Sequence, residues 1–175
     1  PYSTLEAGAS RHVHTAVPRM TDASPWWTPH VHADRRARLL TRNAIRNAMR
    51  DWFGKRDFVE VETATLQVSP GNEAHLHAFA TEFRTEAGAS TQFYLHTSPE
   101  FACKKLLAAG ETRIFDIAKV YRNRERTLTH APEFTMLEWY RLGFDHHRLM
   151  DETADLVMEL LAPPLSLKPP ERLTY

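Results

Sequence analysis

The chain carries one cysteine, Cys103, and six glycines among 175 residues. A lone cysteine excludes an internal disulfide framework and cannot by itself make a cysteine-based zinc site, so a cytoplasmic protein is expected. With so little glycine there is no G-x-x-x-x-G-K-[ST] and no G-x-G-x-x-G, which argues against a backbone-amide cradle for phosphate. Net charge is absent as well: Lys+Arg and Asp+Glu stand at 22 each, so the molecule as a whole is not a general binder of nucleic acid or anionic membrane. No apolar run approaches the roughly 18 residues of a membrane span, and no signal-peptide core opens the chain, so no membrane partner is expected. Neither a G-x-S-x-G elbow nor an H-E-x-x-H occurs, which removes the common hydrolase signatures.

What remains is a globular composition, 42% hydrophobic and 25% charged. Residues 1–33 mix Ser, Thr, Ala, Pro and His without a sustained period and read as an irregular arm, pinned locally by Trp26 and Trp27. Asp34 reads as an N-cap for a helix reaching Gly54, with Leu40, Ala44, Ala48 and Trp52, joined by Ile45, Met49 and Phe53, at helical spacing. "FVEVET", "LHAFATEF" and "TQFYLHT" read as strands. "TSPEFACKKLLAAG" carries full helix punctuation: Ser98 as N-cap, Pro99 at the first position, Glu100 in the first turn and Gly110 past the end. "RIFDIAKVYR" and "EFTMLEWYR" read as strands around a polar loop. A helix then opens at Asp145, with Leu149, Thr153, Leu156, Val157 and Leu160 on one face, and stops at Pro163–Pro164. Runs of strands between separated helices predict an α+β fold on a mostly antiparallel sheet, over residues 34–162, with 163–175 as a connector.

The polar chemistry concentrates in "RNRERTLTHAPEFTMLEWYR", residues 122–141. Without a glycine cradle, phosphate would have to be held by side chains, and arginine forks suit phosphate oxygens best. Arg122, Arg124, Arg126 and His130 lie together there; the alternative is a solvated turn. With period two, Phe134, Met136, Glu138 and Tyr140 share one strand face, placing Glu138 on the more apolar side. An unpaired carboxylate there is costly and calls for a cation, either an internal Arg or Lys or the ammonium of a ligand. Glu100 alone reads as a helix-start residue favoured by the dipole. The pairs His12/His14, His30/His32 and His75/His77 have no neighbour that completes a ligand set, so no metal site is assigned. Arg35, Arg36, Arg38, Arg42, Arg46 and Arg50 along the first helix read as a solvated face, with an acidic partner or RNA as the alternative.

Together, "TSPEF…KKLLAAG", "FDIAKVYRN" and "HAPEFTMLEWYR" resemble the catalytic core of class II aminoacyl-tRNA synthetases, in their lysyl branch, over about residues 34–160. The order of TSPE and H-x-PEFT-x-x-E-x-Y is far more specific than an isolated glycine motif. Within that branch, the wording "EFTMLEWYR" and the lack of room for an N-terminal OB-fold resemble the synthetase-like ligases that attach β-lysine to elongation factor P. The resemblance implies ATP and Mg²⁺ as cofactors, lysine or β-lysine as substrate, elongation factor P as acceptor with tRNA as the alternative, and a homodimer through the 34–64 region. It implies Arg122 at the α-phosphate as the catalytic residue. Asn123, Arg124, Glu125, His130 and Phe134 join Arg122 around ATP, with Phe134 on the adenine. Ser98, Glu100, Glu138 and Tyr140 are implied around the amino acid. The chain departs from the pattern at Arg124, where the family has Glu and where Glu125 comes next. It departs also at Ala131, where the family has Asn, and at Ala64, which replaces a proline. The third family motif is not found before residue 175. Two rival readings follow, a catalytic-core fragment of a lysyl-tRNA synthetase and a catalytically inactive binding or dimerisation module.

Overall fold

A computed structural model of the chain describes residues 25–161 and 166–173; His12/His14 and Pro163–Pro164 lie outside them. The elements are α1 (Pro29–Gly54), β1 (Val59–Glu60), β2 (Leu66–Gln67), β3 (Phe79–Arg84), β4 (Ser90–Leu95), α2 (Glu100–Ala108), β5 (Arg113–Tyr121), β6 (Glu133–Arg141) and α3 (His146–Leu161). They make the expected mixture of helices and mostly antiparallel strands. The strands form two three-stranded sheets, ordered β1-β5-β6 and β2-β4-β3, and β1 against β5 is the one parallel pairing among them. No described helix is long and apolar enough to cross a membrane.

Contacts divide the chain within α1, into residues 1–41 and 42–175. In the first unit the helix begins at Pro29 and not at Asp34. Proline suits the first helical position because its missing N–H has no intrahelical partner to lose, and the Thr28 carbonyl accepts the His32 N–H at 2.9 Å. Residues 29–33 are therefore helical rather than part of an irregular arm. Trp26 and Trp27 pack edge-on against each other with Arg35 over Trp26, yet both stay exposed and anchor nothing in a core.

In the second unit, the last turn of α1 brings Trp52 and Phe53 into the core, with Ile45 and Met49 half-buried and Ala44 and Ala48 exposed. The buried stripe thus follows 45, 49, 52 and 53, all within the face expected from the sequence, while Leu40, Ala44 and Ala48 of that face stay exposed. Phe53 stacks on Phe115 of β5 at 4.4 Å between centroids and meets Trp52, Phe58 and Trp139 at edge or tilted angles. Leu156 of α3 closes the cluster. Glu152 of the same helix is buried beside it, accepting the Trp139 indole N–H at 3.2 Å and a hydrogen bond from Arg141. Those bonds hold α3 to β6. They also turn Leu149 and Val157 outward, where the sequence pattern predicts a core face.

β5 and β6 pair in antiparallel register from Arg113↔Arg141 to Tyr121↔Glu133. One face of this hairpin carries Phe115, Ile117, Leu137 and Trp139 against the aromatic cluster. The other carries Ile114, Asp116, Ala118 and Val120, all buried, opposite Tyr140, Glu138, Met136 and Phe134. Glu138 therefore does not share a face with the aromatic core. Helix α2 ends in a Schellman arrangement: the Gly110 N–H reaches Leu107 O, the Glu111 N–H reaches Leu106 O, and Gly110 takes a φ of +115°. "FVEVET" shrinks to a two-residue strand because only Val59 and Glu60 pair with β5. With its ring fully buried among four aromatics, Phe53→Ala should cost about 3–5 kcal/mol. Denaturant unfolding of the purified chain would show this as a lower midpoint at unchanged slope.

Candidate functional site

Arg122 leaves β5 with its backbone N–H donating to Pro132 O at 2.9 Å, which closes the hairpin's open end. Its Nε donates to Thr97 O at 3.3 Å, and its guanidinium carbon lies 5.3 Å from the Phe134 ring centroid. The Asn123 N–H donates to His77 O at 2.6 Å, tying the second sheet's approach loop to this end. Arg124 follows at a φ of +66°, a left-handed conformation uncommon for arginine, with its N–H on Asn123 Oδ1 at 2.9 Å. In the loop, Thr127 Oγ1 accepts the His130 N–H at 3.1 Å and sits 2.8 Å from His130 Nδ1. That leaves Nε2 as the ring nitrogen open to a ligand, without a hydrogen bond among the described residues.

These residues wall a cleft of about 740 Å³ lined by Arg122, Arg124, Glu125, His130 and Phe134 together with His75, Leu76, Thr127, Thr129 and Ala131. The size suits a small-molecule site. Five of the six residues expected around a nucleotide thus converge. Asn123 does not line the cleft; its polar groups go to His77 and to Arg124. Among the described residues, Arg122 and Arg124 have no carboxylate partner. Arg50, Arg56, Arg84, Arg113, Arg141 and Arg172 are all ion-paired.

The other end of the same hairpin face holds Glu138. Its Oε1 accepts the Ser98 hydroxyl at 2.5 Å and its Oε2 accepts the Tyr140 hydroxyl at 2.7 Å. Neither partner is a cation, and among the described residues Glu138 has no ion-pair partner, so the internal Arg or Lys that would explain it structurally is not there. Ser98 also accepts the Glu100 N–H at 3.0 Å, so one hydroxyl ties both carboxylate-bearing residues together. Ser98 stands one residue before the helix's N-terminal boundary, which falls at Pro99. Glu100, Glu138 and Tyr140 line a cleft of about 330 Å³ completed by Leu137, Trp139, Leu149 and Thr153. Leu149 and Thr153 thus serve this cleft rather than the core. Burial, then the bond to Glu138 and its charge, push the Tyr140 phenol far above its ordinary range, so it remains a donor. Beneath lies Cys103, its thiol pushed up to about 12 by burial first and then by Asp116 and Glu138. Asp116 is itself buried, but Thr63 supplies it with an N–H and a hydroxyl at 3.2 and 2.7 Å.

Sequence reasoning missed Thr97 and the loop 70–77. Thr97 hydrogen-bonds Pro70 O through its hydroxyl at 3.0 Å, and its carbonyl holds Arg122, so Thr97 and Ser98 join the two clefts through adjacent residues. The signal was Gly71: a Cβ there would stand 2.9 Å from Glu73 Oε2 and 3.0 Å from Thr97 Oγ1. No group of three or more His, Cys, Asp or Glu among the described residues is arranged to hold a metal ion.

Residues 26–167 match the family of class II tRNA synthetases of the D, K and N type. The chain is 43% identical over 150 residues to an elongation factor P–(R)-β-lysine ligase of Vibrio campbellii, covering 85% of this chain and 44% of that protein. It is 45% identical over 150 residues to the protein of that name from Pseudoalteromonas translucida, with the same coverage. The Vibrio cholerae protein of that name is 44% identical over 140 residues, 79% of this chain and 42% of that protein. The chain thus spans less than half the length of these curated relatives.

The buried thiol gives a pH signature. Cys103 binds its proton more tightly folded, at about 12, than the ordinary value of 9.0. Its contribution to stability is therefore complete below pH 9 and is lost progressively as pH rises from there toward 12, by up to about 1.4 kcal/mol per pH unit. Unfolding of Cys103→Ala, measured between pH 8 and 10, should lack that part of the decline.

Proposed function

The chain belongs to the class II tRNA synthetases, and from that membership we propose that the full-length protein is an ATP-dependent ligase that activates lysine or β-lysine and transfers it to a lysine of elongation factor P. One observation carries the reading: two unpaired arginines and an unpaired glutamate lie on the same hairpin, joined by Thr97–Ser98. Phe134 and Glu138 are four residues apart on one strand, roughly 13 Å. An aminoacyl nucleotide bridges such a span with its phosphate at Arg122 and its ammonium at Glu138.

In the first step a substrate carboxylate oxygen attacks the α-phosphorus, the bond to the β-phosphate oxygen breaks, and pyrophosphate leaves. Arg122 is placed for the charge that builds on the α-phosphate, because Thr97 O fixes its Nε and leaves the terminal nitrogens for oxygens. Phe134 offers a ring face for adenine, and His130 Nε2 a contact for the distal phosphates. Glu138 takes the substrate ammonium as a third partner, with Ser98 and Tyr140 holding both carboxylate oxygens in place. In the second step the acceptor amine attacks the acyl carbon and AMP leaves with the carboxyl-bridging oxygen. Magnesium in phosphate sites takes much of its coordination from phosphate and water. The described residues form no protein cage for it, and no step here is routed through it. Homodimerisation through residues 34–64 belongs to the same proposal; the exposed Val59 supports it.

Incubating the full-length protein with ATP, lysine or β-lysine, and either elongation factor P or tRNA tests the acceptor. Elongation factor P should gain the mass of one lysyl unit. A gain on tRNA alone would sink the reading in favour of a tRNA synthetase. Arg122→Ala should lower pyrophosphate exchange on the order of 10²–10³-fold; near-normal exchange would remove Arg122 from the reacting centre.

A further inference from the structure

Lys104 does not itself line the smaller cleft but is bonded to Glu100, which does, and the mechanism above gives it no part. Its Nζ donates to Glu100 Oε1 at 2.5 Å, one turn along α2. The charges of Glu138 and Glu73 act on the same ammonium after that of Glu100. Glu73 reaches this place from the loop before β3. The carbonyl of Pro70 accepts the Thr97 N–H at 3.3 Å and the Thr97 hydroxyl at 3.0 Å, drawing the loop against the entry to α2. Glu73 Oε2 and Thr97 Oγ1 then lie within about 3 Å of one point beside Gly71. Of these three carboxylates only Glu100 is in contact with the Lys104 ammonium.

The pair is easily opened. The Lys104 and Glu100 side chains are 56% and 35% exposed, and helix pairs of this spacing contribute little in water. Resting on the lysine-activating reading of the site, we propose that Lys104 is an internal stand-in for the substrate's ammonium: it holds Glu100 until a cationic amino acid displaces it. A substrate that brings its own ammonium restores the ion pair that it breaks. A neutral side chain of the same length has nothing to offer Glu100 and leaves the Lys104–Glu100 pair in place. Lys104 thus acts through Glu100 as a positioning residue that competes with a cationic substrate and is indifferent to a neutral one.

Titration calorimetry of the full-length protein with lysine and with norleucine, its uncharged counterpart, tests this. Lys104→Met should tighten lysine binding about two- to five-fold, the scale of an exposed ion pair, and should not tighten norleucine. Lys104→Arg keeps a cation and should bind lysine as the unaltered protein does. Lysine binding that is unchanged or weaker in Lys104→Met overturns the proposal, as does an equal shift for both ligands, which marks a general change in the helix. The same titrations are run with β-lysine: if the unaltered protein binds neither lysine nor β-lysine, the ligase reading fails first; if it binds one of them and Lys104→Met does not tighten that ligand, that reading stands and only the role of Lys104 falls.

Discussion

Because β5 and β6 pair through nine consecutive residues, every side chain between Arg113 and Arg141 on this hairpin is committed to one of two faces, and a slip of one residue would exchange them. One face is apolar enough to draw in the end of α1 and the middle of α3, with Phe53 stacked on Phe115 as its centre. That packing removes any freedom from the other face, which must then present Phe134, Met136, Glu138 and Tyr140 beside α2. The register also sets Arg122 at the open end of the hairpin and so fixes its separation from Glu138. The core specifies where the polar groups stand without touching them.

Three buried or half-buried carboxylates on or against this hairpin are met in three different ways. Glu152 is paired with Arg141 and the Trp139 indole, which fastens a helix to a sheet. Asp116 is satisfied by the N–H and hydroxyl of Thr63, neutral donors that suffice for a group fixed within the core. Glu138 faces a cleft and receives two hydroxyls, which orient its oxygens yet leave its charge unmatched. Desolvating such a charge is costly unless a cation arrives, which is the physical reason to read this glutamate, and not the other two, as a binding group.

The departures from the family pattern acquire a place in the same geometry. Arg124 adopts a left-handed backbone, and Glu125 lines the cleft directly after it. A carboxylate is therefore present in that cleft, one position along from where the resemblance leads one to expect it. Ala131, where the resemblance leads one to expect Asn, lines that cleft as well.

Much was readable along the chain, and for a common reason. The strands of the hairpin, the stop of α2 at Gly110 and the cap of α3 at Asp145 all depend on spacing or local turn chemistry, whereas the place of Glu100 beside Glu138 was implied only by the family resemblance. Asp145, for example, does accept the Arg148 N–H at 2.9 Å. Local pattern misjudged the start of α1, where Pro29 outweighs Asp34, and the inward face of α3, where a charged Glu152 is buried while Leu149 is not. Periodicity states which residues share a face, and nothing in it states what that face will meet. Contacts between residues distant in sequence settled that: Phe115 with Phe53, Thr97 with Arg122, the Pro70–Glu73 loop with the entry of α2. Such contacts come from packing separate segments against one another, and their free energy resides in no single segment.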